Sequence, residues 1–212
     1  VKKDIHAMEK SKNDFSFLFV IPRSGIWEGY MIENNELMLI RPNKNLENQI
    51  MEYRQEYIDN NENHINGSCS LHRFESFDQW LDRVNICATD EELSIYNTIT
   101  STFLAIRKID NKIIGTIQVR HVLTKELRDD SGNIGYGVRP TERRKGYATQ
   151  MLNLALEFCR NLGLNKVLLD CDEANIASEK TMIKCGGVFD RNQPIHHSNG
   201  EVEIVHQYWI YL

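Results

Sequence analysis

A mixed β-sheet covered by helices on both faces, an α/β (α+β) architecture, is the fold class this sequence predicts, on three observations. Helical periodicity is strong at 148–161, short apolar strand-like segments flank it on both sides, and the elements alternate along the chain without an internal repeat. Composition agrees: 212 residues with 41% hydrophobic and 26% charged side chains are ordinary for a globular chain with one sizeable core.

Residues 1–35 mix charge, a short aromatic run and turn formers without a clear period, and are read as an extension preceding a domain at 36–212. Glu36–Arg41 reads as a strand closed by Pro42. Leu46, Ile50, Tyr53, Tyr57 and Ile58 form one face of a helix that frays into the Asn-rich stretch near Asn60. Ser76 is placed to cap a second helix, with Phe77, Trp80, Leu81 and Val84 on one stripe. Thr102–Lys108 and Lys112–Val122 read as a hairpin turning at Ile109-Asp110-Asn111. A strand at Asn133–Val138 ends at Arg139-Pro140, and Ala148, Met151, Leu152, Ala155, Leu156 and Cys159 lie on one helical face stopped by Gly163. Lys166–Cys171 has the continuous apolar centre of a strand buried on both faces. Asn175–Lys184 reads as a helix ended by Gly186-Gly187, and strands at Val188–Arg191 and Val202–Leu212 close the chain.

Lys and Arg total 25 against 30 Asp and Glu, so the formal charge is -5, without the basic excess of most nucleic-acid binders. The longest N-terminal apolar run, Phe15–Ile21, is interrupted by Ser16, stopped by Pro22, and far shorter than the roughly 20 residues of a membrane span. Charged and amide residues crowd it and no small-residue cleavage site follows, so neither a membrane partner nor a signal peptide is expected. Five widely spaced cysteines without a C-x-x-C pair suit reduced thiols in a cytoplasm.

One segment, N-I-G-Y-G-V-R-P-T-E-R-R-K-G-Y-A at 133–148, carries chemistry. A strand runs into a short basic loop, and the strongest helix starts at its end. The first turn of a helix leaves backbone N–H groups without partners, and the helix dipole adds partial positive charge there. Gly146 and Ala148 allow close approach of a diphosphate, while Arg143, Arg144 and Lys145 supply cations. From spacing alone the alternative is a basic turn that merely starts a helix. The loop lacks the G-K-[ST] ending of a P-loop, which weakens a nucleotide-phosphate reading.

Arg143-x-x-Gly146-x-Ala148 resembles the R/Q-x-x-G-x-G/A signature of the GNAT superfamily of acyl-CoA-dependent N-acetyltransferases. N-I-A-S-E-K-T-M-I-K-C-G-G at 175–187 resembles the next motif, and the element order from 36 to 212 is similar throughout. Within the superfamily the chain is similar to a group of bacterial predicted acetyltransferases. The resemblance implies a GNAT fold: a twisted mixed sheet whose two central parallel strands, here 133–138 and 166–171, splay apart to admit pantetheine. It implies acetyl-CoA as cosubstrate, with Val138 and Arg139 presenting backbone groups to pantetheine. It further implies that Arg143, Arg144, Lys145, Gly146, Tyr147, Ala148 and Thr149 surround the pyrophosphate, with Asn175 and Ser178 beside the arm. Asn175 has a helix N-cap as its alternative or additional role.

Many members carry a tyrosine acid in the helix after Asn175; this chain has Met182 there, and a thioether cannot donate a proton. A thiolate with a pKa near 8.5 can leave unaided, and proximity with a backbone N–H near Val138 supplies much of the rate. The amine must lose a proton, and the candidate groups are His121 at a strand end, Asp172 beside the splay and Tyr136 within it, each with a plain structural reading beside the catalytic one. Cys185 reads as a small apolar residue, not as an acyl carrier. The doublet His196-His197 lacks further ligands, so no metal is expected. The expected function is acetyl transfer to a primary amine of a small molecule or peptide, by direct attack in a ternary complex. The competing reading is a module that binds acyl-CoA without turnover. A monomer or homodimer is expected.

Overall fold

In the computed structural model the described residues are 31–89, 97–196 and 200–212. Strand β1 (Met31–Glu33) pairs with β2 (Leu37–Ile40), followed by α1 (Glu47–Asp59) and α2 (Phe77–Thr89). The hairpin β3 (Thr100–Arg107) and β4 (Lys112–Arg120) precedes a one-and-a-half-turn helix α3 (Lys125–Asp130). Then come β5 (Ile134–Val138), α4 (Tyr147–Asn161), β6 (Lys166–Asp172), α5 (Ile176–Lys184), β7 (Val188–His196) and β8 (Val202–Tyr211).

Two antiparallel sheets result, one of five strands in the order β1-β2-β3-β4-β5 and one of three in the order β6-β8-β7. They meet at β5 and β6, which the crossover helix α4 connects. Both faces of the larger sheet are covered, and the strand residues show it. Phe103 and Ala105 turn to one core with Met151, Leu152 and Phe158 of α4, while Leu104 and Ile106 turn to a second with Tyr53 of α1 and Trp80 of α2. Because successive side chains alternate between faces, a strand covered on both sides is buried along its length, as β3 is from Thr100 to Ile106, with the apolar run Phe103–Ile106 at its centre. No helix among the described residues is long and apolar enough to cross a membrane.

Three elements depart from the sequence reading. Met31–Glu33, inside the segment read as an extension, is an edge strand whose Ile32 is buried in the main core; three residues ahead of a turn at Asn34 are too few to show a period. The rest of that segment, 1–30, lies outside the described residues. Helix α3 has a single apolar anchor, Leu127, and is fixed instead by Thr124, whose hydroxyl accepts from Leu127 N. β7 also runs on to His196, past the expected end at Arg191; Pro194 is tolerated because β7 pairs only with β8 and lies at the sheet edge.

Candidate active site

The site begins at Asn133. Its N–H donates to Leu168 O at 2.6 Å, its Oδ1 accepts from Leu168 N at 2.9 Å, and its Nδ2 donates to Arg120 O at 3.2 Å. One buried amide thus ties β4, β5 and β6 together at one end. Beyond it no ladder joins β5 to β6 among the described residues, and a cavity of about 1150 Å³ opens between them. Residues 134–138 of β5 line one wall and Asp170, Cys171 and Asp172 of β6 the other.

The edge that β5 turns to this cavity follows from strand alternation. Arg139 N donates to Ile114 O of β4 at 2.8 Å, so the backbone groups of Val138 and Tyr136 face the cleft. This corrects the expectation for Arg139: its N–H is spent within the sheet, and its guanidinium binds Glu56 and the Ile113 carbonyl. Arg139 does not line the cavity, whereas Val138 does.

The loop after β5 is held from below. Glu142 is buried, and its carboxylate binds Arg107 at 2.8 Å, Lys112 at 2.7 Å and Lys145 at 2.9 Å. Burial opposes its ionisation, but the three cations prevail and hold its carboxyl down to about 2. Arg107 also donates to Tyr147 Oη at 3.1 Å, so the β3–β4 hairpin anchors the first turn of α4. Of the three cations expected at a phosphate, Lys145 is therefore held by Glu142 and lies outside the cavity lining. Arg143 forks onto Glu62 at 2.6 and 2.7 Å while its Nε donates to Val138 O at 3.0 Å. Arg144, at φ 61°, and Arg143 both line the cavity.

Gly146 caps α4 at φ 84°, a backbone region that favours glycine, and a Cβ built there meets nothing within 4 Å. Gly146, Tyr147, Ala148 and Thr149 all line the cavity, so free N–H groups of the first turn open on it. This cradle, continuous with the gap between β5 and β6, fits a diphosphate carrying an extended arm.

Across the gap, Tyr136 Oη lies 2.8 Å from Ser178 Oγ, and burial raises its phenol to about 12. Asn175 Oδ1 accepts from Ser178 N at 3.1 Å, so the N-cap role is present, and both residues line the cavity. Met182 is fully buried in the core, and Cys185, whose thiol burial raises to about 11, lies 3.8 Å from Thr149 O.

The candidate bases separate. His121 does not line the cavity: its Nε2 lies 2.9 Å from Ser101 Oγ, its ring packs edge-on against Phe158, and burial lowers its pKa to about 4. Asp172 does line the cavity, where a hydrogen bond to Glu203 and burial raise its carboxyl to about 6. His197 lies outside the described residues, among which no cluster of three metal-ligating groups occurs.

Sequence reasoning passed over Glu142, Glu62 and the 62–73 loop. That loop lies on Gly135 and Gly137: a Cβ at Gly137 would meet Asn66 O at 2.8 Å and Tyr57 Oη at 3.1 Å, and one at Gly67 of the loop would meet Gly135 O. The paired glycines in I-G-Y-G-V were the available signal of a close backbone approach.

A sheet opened between two strands, with a helix N-terminus and small residues at its mouth, defines a binder of acyl-CoA. The sequence matches the family model for the acetyltransferase (GNAT) domain over residues 47–188, and the chain belongs to that family, whose acyl donor is acetyl-CoA. No curated protein matches the sequence. Solved structures share the fold at low identity. The Microcin C7 self immunity acetyltransferase MccE, in complex with acetyl-CoA and AMP, aligns at TM-score 0.63 and 16% identity, over 84% of this chain and 94% of that one. Spermidine/spermine N-acetyltransferase SpeG from Vibrio cholerae aligns at 0.59 and 21%, over 84% and 95%. The ribosomal L7/L12 alpha-N-protein acetyltransferase RimL with coenzyme A aligns at 0.62 and 13%, over 86% and 98%.

Proposed function

We propose that this acetyltransferase moves the acetyl group of acetyl-CoA to a primary amine by direct attack, with both substrates held in the cleft between β5 and β6. The observation that carries the reading is the parting of the two strands beyond Asn133, opening onto the Gly146 cradle. In this reading the amides of residues 144–149 take the pyrophosphate, Val138 pairs with pantetheine and polarises the thioester carbonyl, and Asn175 and Ser178 flank the arm. The amine nitrogen bonds to the carbonyl carbon as the carbon–sulfur bond breaks, and the thiolate takes the electron pair.

Asp172 is the base this reading favours. A carboxyl near 6 is ionised at neutral pH yet a better proton acceptor than an ordinary aspartate, and Asp172 lines the cavity while His121 does not. An alkylamine with a pKa near 10.4 arrives as ammonium, which Asp172 and Glu203 suit electrostatically. The neighbours whose names specify amines, spermidine and spermine or a protein N-terminus, fit that chemistry.

The buried Met182 in place of a tyrosine acid favours a second reading, a module that binds acyl-CoA without turnover. Incubation with acetyl-CoA and a panel of amines, following free thiol, decides between them: amine-dependent thiol release establishes the enzyme, and binding without release by any amine leaves the module.

A further inference from the structure

A chain of buried hydroxyls runs from the second core to the cavity, and its hydrogen-bond polarity is determined. Thr116 Oγ1 lies 2.9 Å from Asn66 O. A carbonyl only accepts, so the single Thr116 hydroxyl proton is directed there; without it two lone-pair oxygens would face each other. Tyr53 Oη, 3.2 Å from Thr116 Oγ1, must then donate to it. Tyr57 Oη, 3.1 Å from Tyr53 Oη, must in turn donate to Tyr53. Tyr57 has no proton left, so its oxygen is an acceptor only; the Arg143 guanidinium, 5.5 Å from its ring centroid, is one donor it already faces, and a second lone pair remains for a further donor. All three hydroxyl side chains are buried, and burial raises both phenols, so the chain stays protonated near neutral pH.

Tyr57 and Asn66 both line the cavity, and both oxygens close on Gly137, one residue before the Val138 amide. Asn66 O also keeps a lone pair after accepting from Thr116. Two acceptor oxygens on one side of β5 select for a ligand atom that carries N–H donors and against a carboxylate, phosphate or carbonyl oxygen. An amine is such an atom, and of the two groups that react, amine and thioester, it is the one that carries N–H.

We propose that Tyr57 is the positioning residue for the acceptor nitrogen, its Oη receiving one N–H beside Gly137 so that the nitrogen lone pair is directed at the thioester carbon. This rests on the reading of the cleft as a site of amine acetylation. The Tyr53–Thr116–Asn66 chain acts through Tyr57 by denying its hydroxyl the freedom to donate.

Two thioether derivatives of CoA test this without knowledge of the natural amine: one carries S–CH2–C(O)–NH–propyl and the other the ester S–CH2–C(O)–O–propyl. They differ in one N–H at the acceptor position. By calorimetry the wild-type protein should prefer the amide by about 10-fold, the scale of one hydrogen bond gained against a lone-pair clash. Tyr57→Phe should bring the preference to about unity, the amide losing its hydrogen bond and the ester losing its lone-pair clash. Tyr53→Phe, which leaves Tyr57 in place but frees its proton to turn toward the ligand, should also erase the preference, an effect that loss of packing alone does not produce. Equal affinities in the wild type, or a preference that survives either substitution in a protein with an unchanged melting transition, overturn the proposal. If neither derivative binds, the acyl-CoA reading of the cleft falls first and this proposal with it, an outcome distinct from equal binding of both.

Discussion

Asn133 and Leu168 exchange two hydrogen bonds, N–H to O at 2.6 Å and N–H to Oδ1 at 2.9 Å, at the point where β5 and β6 part. The side chain of Asn133 imitates a peptide unit, so the two sheets are joined once and then released. Asn133→Ala removes that imitation and leaves Leu168 N and Arg120 O buried with fewer partners. It should destabilise the protein by about 2–4 kcal/mol in urea unfolding, the cost of orphaning buried polar groups. Asn133→Asp retains the acceptor for Leu168 N and should lose its contact with Arg120 O.

Gly146 is predicted to govern acetyl-CoA binding more than folding. Its φ of 84° makes any other residue strained by about 1 kcal/mol, but the space around a Cβ is empty, so the loop itself can accommodate a side chain. A bulky group there fills the cradle. Gly146→Trp should abolish acetyl-CoA binding in calorimetry while the thermal transition moves only a few degrees; a folded variant with wild-type affinity removes the phosphate site from this loop.

The three consecutive cations of the loop should separate on substitution. Lys145 is tied to buried Glu142 at 2.9 Å, whereas Arg144 lines the cavity. Arg144→Ala should weaken acetyl-CoA binding about 5- to 10-fold and reduce its salt dependence, as expected for a phosphate contact in water. Lys145→Ala should change affinity by less than about 2-fold and act on stability instead, by leaving Glu142 with one cation fewer.

How far the sequence was legible follows from the range of the forces involved. Helix α4 was legible within one residue because its apolar stripe and its terminating Gly163 are local, and its glycine-capped start at Gly146 because one loop contains it. Glu142 was not: it reads as one more surface charge until Arg107 and Lys112, thirty or more residues earlier, are folded against it. His121 was misplaced for a different reason. Side chains alternate along a strand, so sequence shows which residues share a face but not which face meets the cavity, and His121 turns to Phe158 of α4. The hydroxyl chain was invisible for both reasons, since Tyr53 and Tyr57 read as an ordinary apolar stripe until Thr116 is brought beneath them.

His121 is predicted to contribute to acid sensitivity and not to turnover. Its folded pKa, lowered to about 4 by burial, lies below the unfolded value near 6.5. Between those values the unfolded chain binds the extra proton, so stability is complete above about pH 6.5 and is lost as pH falls toward 4. His72, also lowered to about 4, adds to the same slope. His121→Gln removes its share while an amide can still reach Ser101. Denaturant midpoints should then fall less steeply between pH 6.5 and 4, with turnover within about 3-fold of wild type. A hundredfold loss of turnover would restore His121 as the base.

Asp172 gives the opposite sign and ties it to activity. Its folded pKa, raised to about 6 by Glu203 and burial, lies above the unfolded value near 3.9, so the native state holds the extra proton between these values. Its contribution to stability is present below about pH 4 and is lost as pH rises through 6, a slope that Asp172→Asn should remove. Proton acceptance needs the carboxylate, so the rate of acetyl transfer should climb tenfold per pH unit below 6 and bend there. Asp172→Asn should abolish that bend and lower turnover by roughly 10², with acetyl-CoA affinity retained. Glu203→Gln is the sharper test. It takes away the neighbour that raises Asp172, so the bend should move toward lower pH while the base remains in place. A bend that stays at 6 in Glu203→Gln, or full turnover in Asp172→Asn, would assign the proton to another group or to solvent.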